Sequence, residues 1–278
     1  MPFQAFFSWK PWGIALCYAM LFLISDAYSL PYSQEVLSDN PITYWRLGES
    51  SGTTVVDQKG LNNATYQGSP TLGISGSNPY DTDTAASFGS TNTQYVIKNP
   101  FNSFPGTAIT AEFWIKSSNT STAGTPLSYA VTGMDNEFLL YDYNNLSFYI
   151  GGPAISSGVA INDGQWNHIV VTWRSSDGAL VMYKNGTAVF SINHQAGYTI
   201  KSGGSLILAQ EQDGVGGSLD AGQRVIGALD EVAIYNYTLS SDRVLSHYNA
   251  TMNVPEPSSI LLSIIAILGS FWAVQKNR

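Results

Sequence analysis

Between Gln210 and Gln223 the chain crowds three glutamines and three carboxylates: Gln210-Glu211-Gln212-Asp213, a glycine-rich turn, then Asp220 and Gln223. Carboxylates, amide carbonyls and backbone carbonyls are the ligand set of calcium, a hard cation that takes six to eight oxygens. They offer little to softer metals. Such a loop needs partners from elsewhere in the fold. The stretch "MDNEF" offers Asp135 and Asn136, a carboxylate beside an amide, at the start of another apolar run. An acidic surface turn that binds nothing would have the same composition, so the loop alone decides little.

Catalytic arrangements fare worse. Paired acids spaced Glu-x-Asp-x-x-Glu would suit retaining glycoside hydrolysis, but the nearest run, Glu211-Gln-Asp213-Gly-Val-Gly216, ends in glycine where the second glutamate is required. There is no His-Glu-x-x-His. His168, His194 and His247 stand apart in sequence and read as structural. The single cysteine, Cys17, lies in the N-terminal apolar segment. The expectation is a binding protein, not an enzyme; a structural surface or matrix protein is the alternative.

The elements that must position these residues are strands. Hydrophobic residues make up 44% of the 278 positions and charged ones only 12%, which suits a β-rich fold with a sizeable core. The formal charge of −8 provides no basic surface for a phosphate backbone, so nucleic acid is not an expected partner. Alternating runs predict strands over Ala108–Ser117, Asn136–Tyr143, Leu146–Gly152, His168–Ser175 and Ala179–Ile192. Asn185-Gly186 marks a hairpin turn in the last of these, since a type I′ turn needs φ > 0 at both positions. One helix is expected over Ser240–Asn249, capped by Ser240 or Ser241, with Val244, Leu245 and Tyr248 inward. Short strands at regular spacing argue for an antiparallel β-sandwich.

Both ends read as processing segments. Residues 1–29 have Lys10, an apolar run and the small residues Ala27 and Ser29, the pattern of a secretory signal peptide. Residues 254–278 carry Pro255-Glu256-Pro257, an apolar stretch long enough to span a bilayer, and the basic Lys276 and Arg278. That order closely resembles the PEP-CTERM sorting signal of Gram-negative bacteria and cyanobacteria. The resemblance implies signal peptidase and exosortase as processing partners, transient inner-membrane anchoring, and delivery to the envelope, outer surface or extracellular matrix. Residues 30–253 then form one domain.

Within that domain, "ITYWRLGESSGTTVVDQKGLNNATYQG" (Ile42–Gly68), "GQWNHIVVTW" and "GALDEVAIYNYTLS" (Gly227–Ser240) resemble concanavalin A-like, laminin-G-like domains. From about residue 94 to 250 the chain resembles the pentraxins in particular. "HIVVTWRS" follows their signature His-x-Cys-x-Ser/Thr-Trp-x-Ser, with Val170 in place of the cysteine. "TAEFWI" lacks the disulfide partner too. The resemblance implies a jelly-roll sandwich. It also implies that Asp135, Asn136, Glu211, Gln212 (by its backbone carbonyl), Asp213, Asp220 and Gln223 hold two adjacent Ca²⁺ ions. Four of these are carboxylates, enough to balance two dications.

Strand parity puts Asp135, Glu137, Leu139 and Tyr141 on one face, with Phe138 and Leu140 on the other. Tyr149 shares a face with Ser147. Leu139, Tyr141 and Tyr149 would then line an apolar pocket beside the ions, resembling the serum amyloid P type of pentraxin. The choline-contacting glutamate of the C-reactive type would fall near Ala154 and is missing. The implied ligand is a glycan or small anionic group, and homo-oligomers are possible. Laminin-G-like domains further imply a structural calcium between Asp57 and the Asp-Glu pair Asp230-Glu231.

Overall fold

Apolar alternation builds two antiparallel sheets, seen in a computed structural model that describes residues 30–252. The N-terminal segment and the Pro255-Glu256-Pro257 segment fall outside the described residues. Among the described residues no helix is long and apolar enough to cross a membrane. The first sheet contains β1 (Thr43–Trp45), β4 (Thr71–Ser75), β5 (Thr84–Phe88), β7 (Ala108–Lys116), β12 (Trp166–Arg174), β13 (Ala179–Lys184), β14 (Thr187–Asn193) and β16 (Gly227–Tyr235). The second contains β2 (Thr54–Val55), β3 (Ala64–Gln67), β6 (Tyr95–Phe101), β8 (Leu127–Val131), β9 (Met134–Tyr141), β10 (Ser147–Ile150), β11 (Ala154–Ser156) and β15 (Gly204–Leu208). This is the expected jelly-roll sandwich, with non-consecutive strands adjacent in both sheets.

The two inner faces enclose one core. Trp45, Phe101, Phe113, Tyr129, Phe138, Tyr143, Phe148 and Trp173 are among its largest buried side chains. Tyr129 stacks on Phe104 with ring centroids 3.7 Å apart. Asn185 and Gly186 have φ of 53° and 77°, the turn that the Asn-Gly pair predicts between β13 and β14.

β7 is buried on both faces, from Ile109 through Ile115, because its outer face is covered as well. A second apolar cluster there joins Tyr44, Trp114, Val170 and Tyr235 to two helices, α1 (Tyr32–Ser38) and α2 (Ser241–Ala250). α1 is absent from the sequence reading. At seven residues it is too short for a periodic signal, and it is held by burying Tyr32 and Val36 rather than by propensity. α2 begins as expected, with the Ser240 hydroxyl accepting from the Arg243 N–H. Its inward face differs. Val244, His247 and Ala250 are buried, whereas Leu245 is 45% exposed. A histidine takes the inward position because its partner is a buried carboxylate.

Candidate metal centre

β15 ends at Leu208, and Ala209, at φ 68°, turns the chain so that Gln210, Glu211 and Gln212 run inward and are buried. Two of the glutamines are anchors. The Gln212 amide donates to the carbonyls of Ser128 (2.8 Å) and Ser205 (2.9 Å), and its oxygen accepts from the Gly216 N–H (2.7 Å). That leaves Gln212 only its backbone carbonyl to offer a ligand. Gln210 donates to the Asn92 carbonyl and accepts the Glu211 N–H. The anchors fix the loop so that Glu211 and Asp213 meet the start of β9. Ala221–Gln223 forms a 3₁₀ turn, capped by Asp220 through the Gly222 N–H at 2.7 Å, and delivers Gln223 to the same place.

Glu211, Asp213, Gln223 and Asn136 line one depression of about 150 Å³, and Leu139, Tyr141 and Tyr149 form its wall. The two tyrosine rings meet edge to face, with centroids 6.1 Å apart. They sit together because Leu139 pairs with Tyr149, and Tyr141 with Ser147, across β9 and β10. Of the sequence-predicted residues, Asp220 is exposed and Asp135 half-buried. Both lie outside this lining, yet the charge of Asp135 is felt at Glu211.

The depression is electrostatically incomplete. Asn136 Oδ1, Glu211 Oε2 and Gln223 Oε1 are buried with no hydrogen-bond partner. Buried acceptors are ordinarily satisfied, and each orphan costs about 1–3 kcal/mol. Burial, then Asp213 and Asp135, push the Glu211 carboxyl up to about 8. Three unpaired oxygens from three segments, beside carboxylates that repel one another, fit a hard cation, which would satisfy the acceptors and favour the ionised acid.

A second acidic group lies under the other sheet. A β-bulge between Asp230 and Ala233, with Glu231 at φ 52°, turns two consecutive carboxylates inward. With Asp83 they offer oxygens within 4.8 Å of one another. Arg46 reaches Glu231 and Asp81 at 2.7 Å and Asp83 at 2.9 Å, and Tyr44 hydrogen-bonds Glu231. One guanidinium leaves this group negative. Burial and Glu231 raise Asp230, and burial lifts Glu231 to about 7 against the opposing pull of Arg46.

The structure revises the pairing of Asp57 with Asp230. Both Asp57 oxygens are engaged by backbone N–H groups of Tyr44, Lys59, Leu61 and Asn62 at 2.8–3.1 Å. Asp57 shapes its own loop, and Asp83 stands beside Asp230 instead. Asp83 and Arg46 went unrecognised because sequence spacing does not show which loops a sandwich brings together.

Residues 88–261 match the pentaxin family. Neuronal pentraxin-2 of Mus musculus is 35% identical over 151 residues, covering 53% of this chain and 35% of that protein. The sushi, von Willebrand factor type A, EGF and pentraxin domain-containing protein 1 of Rattus norvegicus is 40% identical over 142 residues, 50% of this chain and 4% of that one. The chain therefore spans about a third or less of the length of these curated relatives. Among solved structures, domain 4 of AbnA, an extracellular arabinanase from Geobacillus stearothermophilus in complex with arabinotriose, aligns with a TM-score of 0.55. It is 16% identical over 75% of this chain and 98% of that one, a likeness of fold.

Proposed function

The chain belongs to the pentaxin family, and on that footing we propose that it is a calcium-dependent binding module whose ligand is a glycan or small anionic group. The observation that carries this reading is the trio of buried, unpaired oxygens, Asn136 Oδ1, Glu211 Oε2 and Gln223 Oε1, converging on one depression. In this reading Asn136, Glu211, Asp213 and Gln223, joined by Asp135, Asp220 and the Gln212 carbonyl, hold two Ca²⁺ ions. Bound calcium supplies open coordination positions for an anionic or hydroxyl oxygen. Tyr141 and Tyr149 present ring edges and faces to the ligand's apolar part, and Leu139 floors the wall. Calorimetric titration of the chain with Ca²⁺, then a glycan and phosphomonoester screen with and without chelator, tests the reading. Uptake lowered in Glu211→Gln and ligand binding lost with chelator support it; no calcium heat would refute it.

A separate observation favours a further cation of structural role. Asp83, Asp230 and Glu231 bring carboxylate oxygens within 4.8 Å of one another beside the single guanidinium of Arg46. This group stands in place of the expected Asp57 site. The export route belongs to this proposal too. Signal peptidase removes residues 1–29, exosortase cuts near Val254–Pro257, and the body reaches the envelope or matrix. Intact-mass measurement of the secreted form tests both cuts.

A further inference from the structure

Val170 stands where the sequence resemblance implies a cysteine, and it pairs across the sheet with Glu112 of β7. Glu112 is fully buried, in a cluster that takes no part in the metal centre. Its Oε1 receives the Tyr32 hydroxyl at 3.0 Å, His168 Nε2 at 2.8 Å and His247 Nδ1 at 2.9 Å, and its Oε2 receives the Tyr235 hydroxyl at 2.9 Å. The other ring nitrogen of His247, Nε2, lies 2.9 Å from Asp39 Oδ2. Asp39 caps the end of α1; His247 belongs to α2.

The chemistry of His247 follows from its neighbours. A carboxylate only accepts hydrogen bonds, so a ring with a carboxylate at each nitrogen must donate from both. Only the imidazolium does so. A neutral ring would turn one bare lone pair toward a carboxylate, a repulsive contact in a site where both His247 and Glu112 are fully buried.

We propose that His247 is a doubly protonated clasp that fastens the N-terminal helix to the sandwich, and that loss of its proton at alkaline pH releases that helix. α1 lies before residue 88, outside the family match. The clasp stands at the cross-strand pair where the resemblance implies a covalent link. The groups that face it come from every surrounding element. Tyr32, Glu35 and Asp39 come from α1 and its cap. Glu112 comes from β7, His168 from β12, Tyr235 from β16, Tyr237 from the segment that follows, and Arg243 from α2. Tyr44 and Glu231 act on Tyr32 from further along the sheet. Arg243 holds Asp39 at 2.7 Å and Glu35 at 2.6 Å, keeping the outer carboxylate in place independently of His247.

Burial opposes the charge on His247, but Glu112 and then Asp39 outweigh it and raise its proton affinity. Against burial, His247 and His168 hold Glu112 well below the usual carboxylate range. A raised histidine contributes stability that is fully present below about 6.5 and disappears as pH climbs through its folded-state value. The clasp therefore survives mild acid and opens toward alkali.

The chain has three histidines, so selective ¹⁵N-histidine labelling of the intact protein resolves the ring states directly. At pH 7.5 His247 should show two protonated nitrogens, with a titration midpoint above the usual 6.5 because Glu112 and Asp39 hold its proton. Hydrogen exchange, corrected for intrinsic rates, should show protection of residues 32–38 falling about tenfold or more across that same midpoint, while β7 stays protected. His247→Gln should hold α1 protection near the parent's alkaline level at every pH, abolish its pH dependence and leave calcium uptake unchanged. A bare ring nitrogen on His247 at pH 7.5, or α1 protection that does not change with pH, overturns the proposal. Both are read on the unaltered protein, even where the variant fails to fold.

Discussion

The cost of Glu211 in the metal-free protein is open to direct measurement. The residue is 2% exposed, and its carboxyl is lifted from 4.5 to about 8 by burial, Asp213 and Asp135. Between those values the folded state binds a proton that the unfolded state has released, so stability must fall as pH rises. At about 1.4 kcal/mol per pH unit, the full penalty above pH 8 is about 5 kcal/mol, of which about 3.5 kcal/mol accrues between pH 5 and pH 8. Local relaxation and entering water make these ceilings. Glu211→Gln keeps the shape of the protonated acid and removes the titration. Urea unfolding in chelator at pH 5 and pH 8 should show the parent losing at least about 1 kcal/mol more than the variant over that interval. The difference between the two proteins isolates Glu211 from Glu231 and Asp230, whose shifts have the same sign. Calcium at pH 8 should stabilise the parent by more than it stabilises the variant, in which any remaining gain belongs to the Asp83–Asp230–Glu231 group. Identical slopes for parent and variant would show that Glu211 is not held against its charge, and the argument for a pre-formed cation site would fail with it.

Three further outcomes follow from the same geometry. Replacing Tyr141 and Tyr149 together by alanine should abolish chelator-sensitive ligand binding while calcium uptake, followed by calorimetry, stays within about twofold, because neither ring offers a carboxylate to the ion. Asp230→Asn should remove any tyrosine-sensitised terbium luminescence that survives in Glu211→Gln, since Tyr44 hydrogen-bonds Glu231 beside that group. Unchanged luminescence would leave Arg46 as the group's sole counter-charge. Asp57→Ala should lower unfolding stability by about 2–4 kcal/mol, because four backbone N–H groups lose their acceptor, with no change in calcium stoichiometry; an altered stoichiometry would return Asp57 to a metal role.

Local patterns were legible in the sequence where a feature depends on neighbours along the chain. The β13–β14 turn follows from Asn185-Gly186, the wall of the depression from the period-two alternation of β9 and β10, and the start of α2 from Ser240. What depends on meetings across the sandwich was not legible. Gln210 and Gln212 resemble Gln223 in sequence, yet two are anchors and one turns its oxygen into the depression; only the backbone turn at Ala209 separates these roles. Asp57 looks like a ligand until four N–H groups are found on it. His247 reads as a lone histidine because Glu112 and Asp39 are distant in sequence from it and lie on different elements.

The described residues contain no cysteine, and among the carboxylates the fold buries, three separated places are each suited to a different counter-charge. Glu211 faces unpaired oxygens and calls for a metal ion. Glu231 already holds Arg46, which stays charged at any pH that leaves the protein folded. Glu112 holds His247, whose charge depends on pH. The three therefore respond to different perturbations. A chelator should act on Glu211 and leave Glu112 untouched. Alkali should open the Glu112 cluster while improving calcium binding, because it strips the proton from Glu211. Melting curves over a grid of calcium and pH should consequently show calcium stabilisation growing from pH 6 to pH 8 while the fastening of α1 weakens toward higher pH. A single transition that moves as one with both variables would mean that the metal loop and the helix clasp are one cooperative unit, despite lying on different sheets.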